Sequence, residues 1–197
     1  MIKKINYLII IVAIIGSIYI TVTHDDSIVY VLKDLSIILT INALYIIKKI
    51  FKLKISDEIN FIYILFIFMA HFIGVTCEVY DKIYWFDKFV HFMSGIVTSF
   101  AGLFVINKFK KDDNIKFTIL FIIAFSLMAA SLWEIFEYLS SYYFDVDPQK
   151  VILTGVTDTM GDIIVAFLGS ILISISYYFE YNENNSLLIK KFMKALK

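Results

Sequence analysis

Arginine is absent from this chain of 197 residues, cysteine and proline occur once each, and glycine only seven times. All 18 basic residues are therefore lysines, balanced by 18 acidic residues to a formal charge of zero. None of them builds the basic stripe with interleaved aromatics that marks a nucleic-acid partner. The lone Cys77 excludes an intramolecular disulfide and leaves the redox compartment open. The one proline, Pro148, falls in a connecting segment. Nothing has the composition of a soluble domain, a linker or a low-complexity tract. What fills the chain is apolar: 60% of its residues are hydrophobic. A soluble domain of this length could not hide that much apolar surface, so the bilayer must be part of its solvent.

Apolar stretches long enough to cross about 30 Å of hydrocarbon occur at about 5–22, 28–47, 59–79, 86–107, 116–140 and 158–179. The expected fold class is all-α, a polytopic membrane helix bundle forming a single integral-membrane domain over residues 1–197. Lys3 and Lys4 precede the first stretch as they would a signal peptide. Its apolar run is too long, however, and no small-residue cleavage site precedes His24, so it counts as a span. The lysines orient the bundle. Fourteen of the 18, in the segments around Lys3, Lys48, Lys108 and Lys190, fall on one side, against Lys33, Lys82, Lys88 and Lys150 on the other. This asymmetry predicts a multi-pass membrane protein with both termini cytoplasmic.

Eight ionisable residues then fall at about one depth, near the outer face: His71 and Glu78, Asp87 and His91, Glu134 and Glu137, Asp158 and Asp162. Within each pair the spacing is three, four or seven residues, which on an α-helix places both on one face. His71 lies roughly 10 Å deeper than Glu78 at 1.5 Å per residue. Ionisable groups inside spans are costly and mark functional sites. Close carboxylates in low dielectric do not all stay ionised; either some are protonated or a cation sits among them. Lys82 and Lys88, the nearest lysines, are expected to reach headgroups or water.

Asp87-x-x-x-His91 and Glu134-x-x-Glu137 each put two ligands one turn apart, the way bundles hold metals in their cores. The mixed oxygen and nitrogen donors suit Zn, Mn or Fe better than Ca or Mg. A plainer reading stands beside this one. Asp87, Asp158 and Glu78 lie within a turn of span ends, where headgroup water solvates a charge, and Asp158 follows Thr157 as a helix cap would. His71 also reads as an interior histidine with a satisfied partner. His91, Glu134, Glu137 and Asp162 have long apolar flanks that this explanation does not cover. Small residues accompany them: Ser94, Gly95 and Thr98; Ser126 and Ala130; Ala166 and Gly169. These permit close packing of spans four, five and six. Trp85, Trp133 and Tyr138 read as an outer aromatic belt. Lys33 and Asp34 read as an ion pair on the second span, and the connection at about 141–157, with Asp145, Asp147 and Pro148, as a lid or a surface loop.

The segments F-D-K-F-V-H-F-M-S-G at 86–95, W-E-I-F-E-Y at 133–138 and D-T-M-G-D-I-I-V-A-F-L-G at 158–169 resemble the YjdF-like family of bacterial inner-membrane proteins. The order D-K-x-x-H, E-x-x-E, D-x-x-x-D is more distantly similar to VanZ-like proteins, which are linked to glycopeptide (teicoplanin) resistance. VanZ-like chains tend to have glutamine where Glu137 stands and asparagine near Asp162. The resemblance covers about residues 60–180 and implies Asp87, Lys88, His91, Glu134, Glu137, Asp158 and Asp162 as the positions carried over, without implying a substrate.

Three functions are compatible with these residues, and whether the protein is an enzyme is open among them. The first is a divalent-metal-dependent hydrolase or transferase acting on a membrane lipid or on a lipid-linked or envelope ligand. Its metal would be held among His71, Glu78, Asp87, His91, Glu134, Glu137, Asp158 and Asp162, with Glu134, Glu137 and Asp162 as catalytic groups. The second is a proton-coupled transporter, which the absence of an inverted repeat disfavours. The third is a non-catalytic module that binds a ligand or antibiotic.

Overall fold

The computed structural model describes residues 2–23, 28–50, 52, 55–109, 114–144, 146–182 and 188–195, and among them every regular element is helical. The helices are α1 (Ile2–Thr23), α2 (Ile28–Ile50), α3 (Asp57–Ile67), a π-helical continuation (Phe68–Thr76), α4 (Val79–Lys82), α5 (Phe86–Phe109), α6 (Ile115–Phe144), α7 (Val151–Thr154), α8 (Thr157–Asn182) and α9 (Leu188–Ala195). Isoleucine-rich segments are mediocre helix formers in water. In hydrocarbon the peptide groups must bond within their own segment, and the helix is how a single segment does so.

Among the described residues, five helices have the length and composition to cross a bilayer: Ile2–Thr23, Asp57–Thr76, Phe86–Phe109, Ile115–Phe144 and Thr157–Asn182. They coincide with the first, third, fourth, fifth and sixth expected spans. The second expected span falls on α2, whose 23 residues would extend about 34 Å at 1.5 Å per residue. Three short elements went unforeseen, α4, α7 and α9, because four or eight residues are too few for a periodic pattern to stand out.

The chain divides into two compact units, Met1–Asp87 with Lys194–Lys197, and Lys88–Met193. The first unit packs Ala13 of α1, Ile37 and Ile41 of α2, and Ile64 and Ile67 of α3 into one core. Polar groups cross-link it: Ser17 and Thr21 of α1 both donate to the Asp34 carboxylate of α2, and the Tyr63 hydroxyl donates to the Thr40 carbonyl. Asp34 was expected to pair with Lys33, whose side chain lies outside the described residues.

The second unit is built on residues spaced by four. Its α6 buries Thr118, Ile122, Ser126, Ala130 and Glu134, and its α8 buries Asp158, Asp162, Ala166, Ser170 and Ser174 along one row. On α5, His91, Gly95, Ser99 and Leu103 form the matching row. Such rows of small residues let helix backbones approach closely. A β-carbon at Gly95 would fall on the carbonyl oxygen of Ala166, and one at Gly169 on that of Phe92, so α5 and α8 meet backbone to backbone. Thr98 of α5 and Ser126 of α6 share a hydrogen bond of 2.9 Å. The mutual neighbourhood of spans four, five and six that the small residues imply is thus present. At the far end of α8 the buried Glu180 accepts from the Ile189 and Lys190 amides at 3.1 and 2.8 Å, capping α9.

The close crossing has a measurable consequence. Gly169→Val forces α8 away from α5 and is expected to cost about 1–3 kcal/mol, seen as a lower thermal midpoint of the protein in detergent. Leu168→Ala, on the exposed side of the same helix, is expected to leave that midpoint near wild type.

Candidate functional site

Each row of small residues in the second unit ends in ionisable groups at the same end of the bundle. Lys88 and His91 stand in the first two turns of α5, Asp158 and Asp162 in the first two turns of α8, and Glu134 near the last turns of α6. The spacing that packs α5 against α8 therefore also brings Lys88 and His91 to Asp158 and Asp162.

Lys88 is the centre of this arrangement. Its Nζ lies 2.6 Å from Oδ1 of Asp158 and 2.9 Å from Oδ1 of Asp162, and it donates to Oδ2 of Asp162 at 3.0 Å. Both aspartates are buried, with only 4% and 2% of their surface exposed. The expectation that Lys88 reaches headgroups or water is overturned. Its helix starts beside the α8 start, and a buried carboxylate pair binds an ammonium more strongly than water does at that depth. Gly161 makes the room, since a β-carbon there would come within 3.0 Å of the lysine Cε. Asp158 consequently turns toward Lys88.

His91 lies beside the same carboxylate, its Nε2 at 3.8 Å from Oδ1 of Asp162. The boundary between the two units falls after Asp87, inside the first turn of α5, so Asp87 rides on the helix that carries His91. One donor atom from each of Asp87, His91 and Asp162 lies within 4.8 Å of the other two. A divalent first-row ion holds such donors at about 2.0–2.2 Å, which sets opposite donors about 4.2 Å apart. Three such donors at this separation can hold a metal ion. With both aspartates ionised, the Lys88 ammonium leaves one formal negative charge beside them, which favours a further cation.

Glu134 approaches from α6 and is buried. Gln149, itself buried, reaches it from the α6–α8 connection. Its Nε2 donates at 3.1 Å to both the Glu134 carbonyl and the Glu134 carboxylate. The connection is held in shape by Asp147, which accepts from the Val151 and Ile152 amides at 2.8 and 3.2 Å, and by Lys150 in the left-handed region at φ 52°. Glu137 is less buried, and the Trp133 indole donates to its carboxylate at 2.7 Å. It shares a helix with Glu134 but its hydrogen bond runs along the outer side of α6.

His71 and Glu78 belong to the first unit and do not share a helix face. The third span turns π-helical at Phe68 and ends at Thr76, so a seven-residue spacing no longer returns to the same side. Glu78 sits beyond the helix end with φ 58°, half-exposed, in an ion pair of 3.7 Å with Lys82. The His71 Nδ1 meets the Ser36 hydroxyl at 3.5 Å. The reading that groups these two with each other as ligands on one face is corrected by the π-helix. Lys88 as the counter-ion of two buried carboxylates and Gln149 as the partner of Glu134 were not anticipated. Lys88 had a signal, one residue after Asp87 inside an apolar run, whereas Gln149 in a loop had none.

A model of the family described as "Predicted membrane protein (DUF2238)" matches residues 5–183 of the chain. An uncharacterized protein of Thermotoga maritima is 28% identical over 127 residues, a stretch covering 64% of this chain and 64% of that protein. The chain thus spans less than two thirds of the length of that relative. No solved structure matches.

Lys88 neutralises charge that has no exit to water, so its loss should be expensive. Lys88→Met is expected to destabilise the protein by about 3–5 kcal/mol, and Lys88→Met with Asp162→Asn to recover part of that loss. Lys82→Met removes an exposed ion pair and an exposed hydrogen bond to the Cys77 carbonyl, and is expected to cost about 1 kcal/mol. Thermal unfolding of the four proteins in one detergent measures all three differences.

Proposed function

We propose that this multi-pass membrane protein, which belongs to the DUF2238 family of membrane proteins, binds one divalent cation (Zn, Mn or Fe) at Asp87, His91 and Asp162 and uses it on a lipid-linked or envelope substrate at the outer leaflet of a bacterial plasma membrane. The observation that carries the reading is the convergence of those three donors within 4.8 Å. The outer-leaflet placement rests on the lysine asymmetry. The finer family likeness, to YjdF-like and more distantly VanZ-like proteins, rests on the motifs at 86–95, 133–138 and 158–169.

As chemistry, the reading is a hydrolysis or group transfer in which a bound metal lowers the pKa of water. Asp162 is then a ligand, with two oxygens able to serve the ion and Lys88 together. Glu134 is assigned as the general base because it is the buried carboxylate of α6, while Glu137 is engaged by Trp133. Lys88 holds Asp158 and Asp162 in place and offers positive charge to an anionic substrate.

One observation favours a second reading. Lys88, Asp158, Asp162 and His91 form a continuous chain of titratable groups with contacts from 2.6 to 3.8 Å, as a proton relay in a transporter would. Elemental analysis of the purified protein separates the two. The metal reading expects about one equivalent of Zn, Mn or Fe in the wild type, lost in His91→Ala and Asp162→Asn and retained in Glu134→Gln and Glu137→Gln. A wild type that holds no metal after reconstitution overturns it, and the relay then becomes the leading function.

A further inference from the structure

Between α6 and α8 the chain makes a turn that exposes its apolar side chains and buries a polar one. Ile152 and Leu153 are each 86% exposed, Val156 is 69% exposed, and Val146 and Val151 are exposed beside them. Gln149, in the same turn, is 7% exposed and hydrogen-bonded to Glu134. A connection facing water would show the opposite pattern, polar outward and apolar inward. Asp147 at the start of α7 and Lys150 in its left-handed conformation fix the inversion. They point Gln149 and the α7 side chains different ways.

The neighbouring helices of the same unit expose apolar side chains as well. Leu132, Ile135 and Leu139 are exposed along α6, and Met160, Ile164 and Leu168 along α8, both helices with the composition of membrane spans. The α7 residues continue that surface past the helix ends. We propose that residues 146–156 form a lid seated in the lipid of the adjoining leaflet, that Gln149 is its latch on Glu134, and that a membrane lipid reaches Glu134 from the side by displacing Gln149. A lipid suits both halves of the lid, its acyl chains against Ile152 and Leu153 and its polar head against Glu134 where the Gln149 amide now sits. The inference deepens the proposed function through Glu134. It does not require the metal, and neither readout below involves one.

Two measurements on the full chain test it. In a Cys77→Ser background, NBD fluorophores are attached at Ile152→Cys, Leu153→Cys and, as a water-facing reference, Asn114→Cys, in phosphatidylethanolamine–phosphatidylglycerol vesicles. The probes at 152 and 153 are expected to be quenched by lipids carrying a chain nitroxide and spared by iodide, and the probe at 114 the reverse. Iodide quenching at 152 and 153 without nitroxide quenching overturns the lid. In the second measurement, labelling of Glu134 by an apolar carbodiimide is mapped by peptide mass spectrometry. Gln149→Ala is expected to raise labelling at least fivefold and Glu134→Gln to abolish it at that peptide. The Ile152→Ser, Leu153→Ser double variant, which touches no buried residue, is expected to raise labelling too. Unchanged labelling in both the latch and the lid variants overturns the latch.

Discussion

Two aspartates buried at the start of one apolar helix require a cation, and Lys88 supplies it from the start of another. That pairing ties α5 to α8 at the polar end of the second unit, as the Gly95–Ala166 and Gly169–Phe92 contacts tie them along their length. Neither tie stands without the other. The lysine stem passes Gly161 only because the backbones are close, and the backbones can stay close only where the charges between them are balanced. His91, Asp87 and Glu134 take their positions from the helices this junction holds.

The second unit uses one structural device twice. Residues every four positions along α5, α6 and α8 are small or short and polar, so that helices without a hydrophobic driving force between them gain van der Waals contact and a few interhelical hydrogen bonds. Carrying the same spacing one turn further turns the packing row into a row of functional groups: Ala130 is followed by Glu134, Ala166 is preceded by Asp162 and Asp158, and Gly95 is preceded by His91. The polar groups are thereby held on rigid helices, which is the condition for a site that must keep donors within a few tenths of an ångström. The first unit solves its polar problem differently, with hydroxyls of α1 around Asp34 and a π-helical stretch that carries His71 to Ser36. Stretches of π-helix are rare and concentrate where function requires a local departure from the α-helix.

The lengths, the apolar composition and the all-helical class were legible from the sequence, because a bilayer admits few ways of satisfying a backbone and about twenty apolar residues are needed to cross it. The small-residue rows were legible for the same reason, since four-residue spacing survives into any α-helix. Periodicity also placed Asp158 and Asp162 on one face of α8. It failed for Glu78, where the helix had turned π and then ended, because a face defined at 100° per residue does not exist in a π-helix.

Partnership was what only the tertiary structure decided. A sequence tells that a lysine, two aspartates, a histidine and a glutamate are near helix ends. It does not tell which helix ends touch. Lys88 is 70 and 74 residues from the carboxylates it binds, and Gln149 is 15 residues from Glu134 across a turn whose shape depends on Asp147 and Lys150. Local pattern carries no information about such contacts, since they are chosen by backbone approach and charge balance between segments and not by the propensity of either segment alone.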